Sequence, residues 1–188
     1  MKREEDFSPS YPLKRNTINI FGPIDDRMAE IVIAQILYVV DNGAKEITVQ
    51  ICSPGGSVSA GLAIYDTLNY VEARIITVGL GTCASMGAFL LSAGSYGYRR
   101  ATENCEILIH QPLGGASGQA SDIIIAADHI RRTRDRLNRI LSENTGKPVK
   151  TIAKDTDRDK IMTAKEALDY GLIDTVIPSK NKAKKEAK

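Results

Sequence analysis

The sequence predicts a single α/β domain in which parallel strands alternate with helices. Short apolar runs with the two-residue period of strands recur along the chain, and a helical pattern follows most of them. A β-then-α order of this kind places successive strands in parallel pairs. The length of 188 residues and the 43% hydrophobic content suit one domain with a substantial core.

Four elements are predicted in the first half of the chain: a strand at 17–21, a helix to residue 40, a strand at 47–51 and a helix from 57 to 70. The strand at 17–21 alternates polar and apolar residues. Asp25 or Asp26 can cap the first helix, and Asn42 with Gly43 can end it. Ser57 can cap the second helix.

The second half continues the same alternation. The predicted elements are a strand at 74–79, a helix from 85 to about 95, short strands at 98–101 and 107–110, a long amphipathic helix at 120–142 and a helix from 163 to 171. Gly146 and Pro148 stop the long helix. Thr163 and Glu166 form a capping-box pattern, and Gly171 ends the last helix.

Ser85 lies in a run of small residues between the strand at 74–79 and an apolar helix. That placement aims its hydroxyl at an open space near a helix N-terminus, where backbone N–H groups are unpaired. Gly87 follows two residues later, as in a nucleophile elbow, although Cys83 replaces the first glycine of that motif. A serine in such a run is by itself more often a packing residue. Cys83 is more simply interpreted as a buried small residue than as a reactive thiol.

Two further fragments could complete a catalytic site around this serine. Ser53-Pro-Gly-Gly56 is an ordinary turn when taken alone, but its glycines also allow backbone to approach a ligand. An N–H group from this turn, together with that of Met86, would make an oxyanion hole. His110 is either a core residue or a functional one, and the functional interpretation is favoured because it ends a strand just before Pro112. The only other histidine, His129, is expected on a solvated helix face.

A serine hydrolase also needs an acid that orients the imidazole base and stabilises its cation. The segment 155–159 offers three candidates, Asp155, Asp157 and Asp159. A charged run like this is equally typical of a solvated surface. The residues alone therefore leave the acid unassigned.

The combination of these motifs resembles the ClpP family, the proteolytic subunits of the ATP-dependent Clp proteases (peptidase family S14). The resemblance extends from about residue 21 to residue 177. The motifs that carry it are Gly22-Pro-Ile-Asp-Asp26, Ser53-Pro-Gly-Gly56, Ala84-Ser-Met-Gly-Ala-Phe-Leu-Leu91, Ile109-His-Gln-Pro-Leu-Gly-Gly115 and Asp155-Thr-Asp-Arg-Asp159.

The resemblance implies the crotonase-like ClpP fold, with a protruding strand-helix handle at about 111–142. It implies that Ser85 is the nucleophile, His110 the general base and Asp159 the orienting acid. The backbone N–H groups of Gly56 and Met86 would form the oxyanion hole. No metal or cofactor is implied.

The resemblance also implies an assembly. Two heptameric rings would stack through the handles into a tetradecamer, with Asp157 and Arg158 pairing across the rings. Unfolded polypeptides would reach the enclosed active sites through an axial pore, delivered by an AAA+ unfoldase of the ClpX, ClpC or ClpA type. The expected activity is that of an ATP-dependent serine endopeptidase.

Three departures from the family pattern keep an alternative open. The N-terminal segment 1–15 is short and charged, Gln50 and Cys52 stand where an aromatic residue and an asparagine are common, and the segment 116–118 lacks the usual aromatic residue or glutamine. None of these touches the implied triad. The chain could instead be a weakly active or regulatory subunit of mixed rings. An acyl-CoA enzyme of the crotonase type is a more distant interpretation.

Composition argues against several other classes of function. The net charge of +2 gives no case for nucleic acid, and no apolar run is long enough to cross a membrane. The three cysteines lack metal-ligand spacing and suggest a reducing compartment. The lack of a signal-peptide pattern favours a cytoplasmic protein. The expected organisation is an N-terminal segment 1–15, a protease domain 16–178 and a Lys-rich, disordered tail 179–188.

Overall fold

A computed structural model of the protein describes residues 13–179. The expectations for residues 1–12 and for the Lys-rich tail from residue 180 lie outside this range. A short 3₁₀ turn at Leu13–Arg15 precedes the first strand. The strands are β1 Thr17–Phe21, β2 Glu46–Ser53, β3 Arg74–Ala84, β4 Arg99–Thr102, β5 Glu106–Ile109, β6 Lys160–Thr163 and β7 Thr175–Ile177. The helices are α1 Asp26–Asp41, α2 Val58–Tyr70, α3 Met86–Leu91, α4 Ala120–Thr145, α5 Val149–Asp155 and α6 Ala164–Tyr170.

Seven strands form one sheet, in which β1, β2, β3, β4 and β7 lie side by side in that order and are parallel. The central strand β3 is 11 residues long and has two neighbours on one side. Its middle pairs with β4, and its last residues pair in parallel with β5. β6 then adds to β5 as the one antiparallel pair of the described sheet. The predicted α/β fold is confirmed, and parallel pairing holds for every pair except this one.

The strands β1, β2 and β3 bury every second side chain along most of their length, so one face of the sheet forms the core with α1, α2 and α3. α1 contributes Val32, Ile36 and Val39, whose spacing places them on one side of the helix. The predicted caps are confirmed, because the side chains of Asp25 and Ser57 accept hydrogen bonds from backbone N–H groups in the first turns of α1 and α2.

Several elements differ from the sequence prediction. α3 ends at Leu91 instead of about residue 95, and β3 continues past Gly79 to Ala84. The sequence pattern predicts none of α5, β6 and β7, which have seven, four and three residues. These elements lack a pattern of repeated apolar residues, since β6 buries only Met162 and α5 buries only Ile152.

The long helix α4 fully buries side chains only in its C-terminal half. Leu137, Asn138 and Leu141 are buried, whereas the three isoleucines at 123–125 are exposed. The segment 111–117 before the helix forms no strand with any described part of the chain. The helix of the expected handle is therefore present, and its strand is not formed within a single described chain.

A buried ion pair ties β4 to the loop before β7. Arg99 is almost fully buried, and both its guanidinium and its backbone N–H donate to the carboxylate of Asp174. Burial alone would raise the pKa of Asp174. The hydrogen bonds and positive charge of Arg99 outweigh burial, however, and hold the pKa of this carboxyl below its ordinary value.

We expect Asp174→Asn to lower the free energy of unfolding by about 3 kcal/mol at neutral pH, because it leaves the buried Arg99 without a counter-charge. The difference in the free energy of unfolding between wild type and Asp174→Asn has its full size above the ordinary Asp pKa of about 3.9. It shrinks as the pH falls through the lowered pKa of Asp174. Urea denaturation at fixed protein concentration measures it. Glu46→Gln is the control, since the Glu46–Arg74 pair is exposed and should contribute less than about 1 kcal/mol. Equal losses in the two variants would contradict the prediction.

Candidate active site

Ser85 lies at the sharp turn between β3 and α3. β3 ends at Ala84 and α3 begins at Met86, so a single residue connects the strand to the helix. The backbone of Ser85 has φ 55° and ψ −121°, a conformation that a residue with a side chain rarely adopts. Backbone strain of this kind is typical of nucleophiles presented on a strand-to-helix turn.

Gly55 lets the neighbouring loop approach this turn closely, and Gly56 lets the same loop pack on Ile24. A Cβ on Gly55 would lie 2.6 Å from the Ser85 Cβ, and a Cβ on Gly56 would lie 2.1 Å from the Ile24 carbonyl oxygen. Both glycines have positive φ angles that favour glycine. The Ser53-Pro-Gly-Gly56 segment is therefore packed directly against the serine turn.

The hydroxyl of Ser85 contacts the imidazole of His110, with 2.9 Å between Oγ and Nε2. The fold brings them together because the end of β3 is paired with β5, and the Ser85 N–H donates to the Leu108 carbonyl at 2.8 Å. His110 follows β5 directly. Its side chain is 20% exposed, so a substrate can reach it.

The other ring nitrogen of His110 contacts Asp159, with 3.1 Å between Nδ1 and Oδ1. The register of the β5–β6 pair explains this contact. Ile109 lies opposite Lys160, so the next residues outward, His110 and Asp159, face each other. With its proton on Nδ1, His110 donates to the carboxylate, and Nε2 is free to accept the proton of the Ser85 hydroxyl.

The other two aspartates of the segment 155–159 have different partners. Asp155 accepts a hydrogen bond from the Tyr170 hydroxyl at 2.8 Å. Burial and this carboxylate raise the pKa of Tyr170. Asp157 has an exposed side chain, and its backbone carbonyl accepts a hydrogen bond from Gln111. Of the three aspartates, Asp159 is the one that contacts the imidazole.

The two backbone N–H groups expected to form an oxyanion hole lie on the segments that meet at Ser85. Met86 is the first residue of α3, so its N–H has no acceptor within the helix. Gly56 forms a parallel β-bridge with Ile24. The two hydrogen bonds of this bridge use the Gly55 carbonyl and the Ser57 N–H, so the Gly56 N–H takes no part in it.

A family model described as Clp protease matches residues 3–180. That match covers nearly the whole of the 188-residue chain. The chain belongs to the Clp protease family. Its mixed α/β fold, with a mostly parallel sheet and alternating strands and helices, is the fold that the resemblance to ClpP predicts. The protein is therefore a ClpP-type peptidase, and association with Clp ATPases and oligomeric assembly are typical of its family.

A small cavity of this Clp protease opens beside Ser85 and His110. Its volume is about 30 Å³. Its apolar lining comes from α2, α3, β5 and α4, through Val58, Met86, Phe89, Ile109, Leu137 and Leu141. Asn138 adds a buried amide to this lining. A cavity of this volume and lining has room for a small apolar group about the size of two water molecules.

Two polar residues at the Clp protease site are not predicted from the sequence. Asn138 interrupts an apolar stripe between Leu137 and Leu141, and that interruption is a signal that could have identified it. Gln111 lies in the motif Ile109-His-Gln-Pro-Leu-Gly-Gly115, directly after His110, but the sequence assigns it no role. Its contact with the segment that holds Asp159 depends on the fold.

The remaining candidates of the sequence analysis lie away from the reacting atoms or are exposed. Cys83 is fully buried, and its thiol donates to the Ile51 carbonyl. Its contact with the Cys105 thiol and its burial raise the pKa of Cys83, which disfavours the thiolate. His129 and the side chain of Arg158 are exposed.

Within residues 13–179, no three His, Cys, Asp or Glu side chains are grouped as a metal site would require. No helix in the same range combines the length and the apolar character needed to cross a bilayer.

Proposed function

We propose that this Clp protease is a serine endopeptidase in which Ser85 is the nucleophile, His110 the general base and Asp159 the acid that orients the base. The observation that carries the proposal is the unbroken series of contacts from Asp159 through His110 to Ser85, at 3.1 and 2.9 Å. This arrangement activates a serine at neutral pH, because the imidazole takes the hydroxyl proton as the oxygen attacks.

Peptide-bond cleavage would proceed in two stages. The Ser85 oxygen attacks the scissile carbonyl while Nε2 of His110 takes the hydroxyl proton, and Asp159 stabilises the imidazolium. His110 then gives this proton to the leaving amine, which leaves an acyl-enzyme. A water molecule, deprotonated by His110, hydrolyses the ester, and the proton returns to the Ser85 oxygen.

The N–H groups of Gly56 and Met86 would stabilise the negative oxygen of the tetrahedral intermediates. The close packing of Gly55 on the Ser85 turn supports this role, because it places both segments beside the nucleophile. Loss of one donor of this type typically lowers kcat by about 10²–10³-fold. The apolar cavity beside Ser85 would hold a side chain next to the cleaved bond.

Labelling with a fluorophosphonate tests the proposed nucleophile. The reagent forms a covalent bond with an activated serine oxygen, and peptide mass spectrometry locates the adduct. We expect one adduct per chain, on Ser85, and none in the His110→Ala variant. Folded protein that remains unlabelled, or that is labelled at another serine, would overturn the assignment.

We further propose that the chain forms heptameric rings that stack in pairs and enclose the active sites. The exposed isoleucines at 123–125 on α4 support this proposal, since contiguous apolar surface of this kind marks an interaction site. Asp157 and Arg158 are exposed next to Asp159, so contacts across the rings would adjoin the triad. An AAA+ unfoldase of the ClpX, ClpC or ClpA type would feed unfolded polypeptides into the chamber.

Native mass spectrometry is expected to show assemblies whose masses are multiples of a heptamer of the 20.5 kDa chain. Ile124→Glu should separate stacked rings while each chain remains folded, because Ile124 is 62% exposed in the single chain and a charge would face the apolar contact. Circular dichroism checks the fold of the variant. A dominant wild-type monomer at micromolar concentration would contradict both the rings and the chamber.

A row across the sheet in which three of four residues are polar favours a second candidate function, that of a subunit working in mixed assemblies. Asn19, Gln50, Val78 and Arg100 lie opposite one another on β1, β2, β3 and β4, and all four are half-buried. The family resemblance places an aromatic residue at the position of Gln50, where it helps line an apolar pocket for the docking loop of the ATPase. A homomeric ring of this chain would then bind its ATPase weakly and would work better with a second ClpP-type subunit that carries the aromatic.

Gln50→Tyr is expected to strengthen binding of the ATPase to homomeric rings by about tenfold without changing cleavage of short peptides. Burial of an aromatic side chain contributes about 1.5–3 kcal/mol, and repeated sites on a ring add through avidity. Titration of the ATPase against immobilised rings measures the affinity. Gln119→Tyr, at an exposed position before α4, is the matched control. Equal affinities of wild type and Gln50→Tyr would leave Gln50 without a role in docking.

A further inference from the structure

The contact between His110 and Asp159 lies at the open end of a short strand pair. β5 and β6 are joined by four opposed residue pairs, of which Ile109 with Lys160 is the last. The ends of such ladders open more readily than their centres. The Asp159 side chain is 64% exposed, so water competes for its carboxylate. Within residues 13–179, no side chain other than His110 bonds to that carboxylate.

Gln111 forms two hydrogen bonds with the segment that leads to Asp159. Its backbone N–H donates to the Thr156 carbonyl at 2.6 Å, and its side-chain Nε2–H donates to the Asp157 carbonyl at 2.8 Å. Both bonds form one residue beyond His110 and continue the contact between the two chain segments. The His110–Asp159 contact is therefore enclosed between the β5–β6 pair on one side and the Gln111 bonds on the other.

Thr156 is in turn anchored in the core. It is 1% exposed, and its hydroxyl lies 2.9 Å from the Ile152 carbonyl and 3.1 Å from Oδ1 of Asn138, either of which can accept its proton. Asn138 is itself buried on α4. Gln111 therefore joins the exposed segment 157–159 to a part of the domain that is held by buried hydrogen bonds.

We propose that Gln111 is a positioning residue for the acid of the triad. Its side-chain amide holds the Asp157 carbonyl, and thereby holds the short stretch that leads to Asp159, at the distance at which the carboxylate reaches Nδ1 of His110. Gln111 acts through Asp159. The inference rests on the proposed serine-peptidase mechanism and adds to it the residue that keeps the acid in place.

The expected effect of losing this contact is on turnover. Without the Nε2–H donor, the segment 157–159 samples positions in which Asp159 no longer orients the imidazole, and a displacement of about 1 Å can cost about a hundredfold in rate. Gln111→Met keeps the length of the side chain but has no donor, so its kcat should fall by about ten- to a hundredfold. KM should stay within about twofold of wild type, since the apolar cavity is unchanged.

A double-mutant cycle separates positioning from a general structural role. kcat, or the rate of fluorophosphonate labelling where turnover is too slow, is measured for wild type, Gln111→Met, Asp159→Asn and the double variant. If Gln111 acts through the acid, Gln111→Met causes no further loss in the Asp159→Asn background. Equal losses in both backgrounds, or a wild-type kcat for Gln111→Met, would overturn the proposal. Gln35→Met, on α1 and outside the proposed handle, is the control and should keep wild-type kinetics.

A second variant at the same position tests the proposal if Gln111→Met does not fold. Circular dichroism and native mass spectrometry show whether Gln111→Met folds and assembles. If it does not, Gln111→Glu replaces it, because this side chain keeps the length and polarity but has no N–H donor, and a wild-type kcat for it would reject the proposal. Failure of the proposed function would appear differently, as activity in Ser85→Ala or as unlabelled Ser85 in wild type. Activity that depends on Ser85, together with normal kcat in the Gln111 variants, would reject only the role of Gln111.

Discussion

Ser85→Ala is expected to lower kcat for peptide cleavage by about 10⁶-fold while the fold and the assembly remain intact. The substitution removes the nucleophilic oxygen and therefore the covalent route, and any residual rate comes from binding and the oxyanion hole. Ser85 contributes to the fold through its backbone N–H, which donates to Leu108, and its carbonyl, which accepts from Phe89. Alanine retains both bonds. Initial rates with a short fluorogenic peptide, on protein expressed in a host without its own Clp peptidase, measure the effect.

Ser121→Ala is the matched control for this experiment. Ser121 is exposed near the start of α4, and its replacement should leave kcat at the wild-type value. Native mass spectrometry confirms that the two variants assemble equally. An assembled Ser85→Ala variant with most of the wild-type rate would exclude Ser85 as the nucleophile and, with it, the proposed mechanism.

Ser85 and His110 are candidates in the sequence because of their immediate neighbours, although a serine in a run of small residues is by itself more often a packing residue. The small residues around Ser85 leave space for the sharp turn that the structure shows at φ 55°. His110 stands at the end of an apolar run, and Pro112 follows closely. These are local signals, and it is their combination that favours a catalytic site.

The acid is not predictable in the same way, because its position depends on a long-range register. Asp159 faces His110 since Ile109 pairs with Lys160, and the contacting residues are 49 positions apart in the chain. β6 has four residues and buries one of them, so no alternating pattern in the sequence predicts this strand. Without β6 the three aspartates of the segment are equivalent, and only the family resemblance distinguishes Asp159. The contact of Gln111 with the same segment cannot be predicted from the sequence either, because it also depends on this long-range register.

The helices and strands divide in the same way into those with local sequence signals, which are predicted well, and those that depend on long-range pairing. α1, α2 and α6 are predictable because their caps are visible in the sequence, and Asp25, Ser57 and Thr163 each accept a hydrogen bond from the first turn. The length of β3 is not predictable, because Gly79 and Gly81 interrupt the strand pattern before the residues that pair with β5. The second half of β3 is nevertheless the part that carries the chain to Ser85.

Asp159→Asn is expected to lower kcat by about 10⁴-fold with little change in stability. An asparagine amide can donate to Nδ1 of His110, and the ring proton then resides on Nε2. In that tautomer Nε2 faces the Ser85 hydroxyl as a donor and cannot take its proton. The Asp159 side chain is 64% exposed, so its replacement should cost the fold little. The same fluorogenic peptide assay measures kcat, and thermal unfolding checks the fold.

Asp155→Asn is the comparison that tests the assignment of the acid. Asp155 accepts the Tyr170 hydroxyl at 2.8 Å, and the carbonyl of an asparagine amide can accept the same hydrogen bond, so kcat should stay close to wild type. The opposite result, an active Asp159→Asn with an inactive Asp155→Asn, would move the acid by four residues. Because the β5–β6 register places Asp159 opposite His110, that result would also require a different pairing of these two strands in the working assembly. The two variants therefore test the chemistry of the triad and the strand register together.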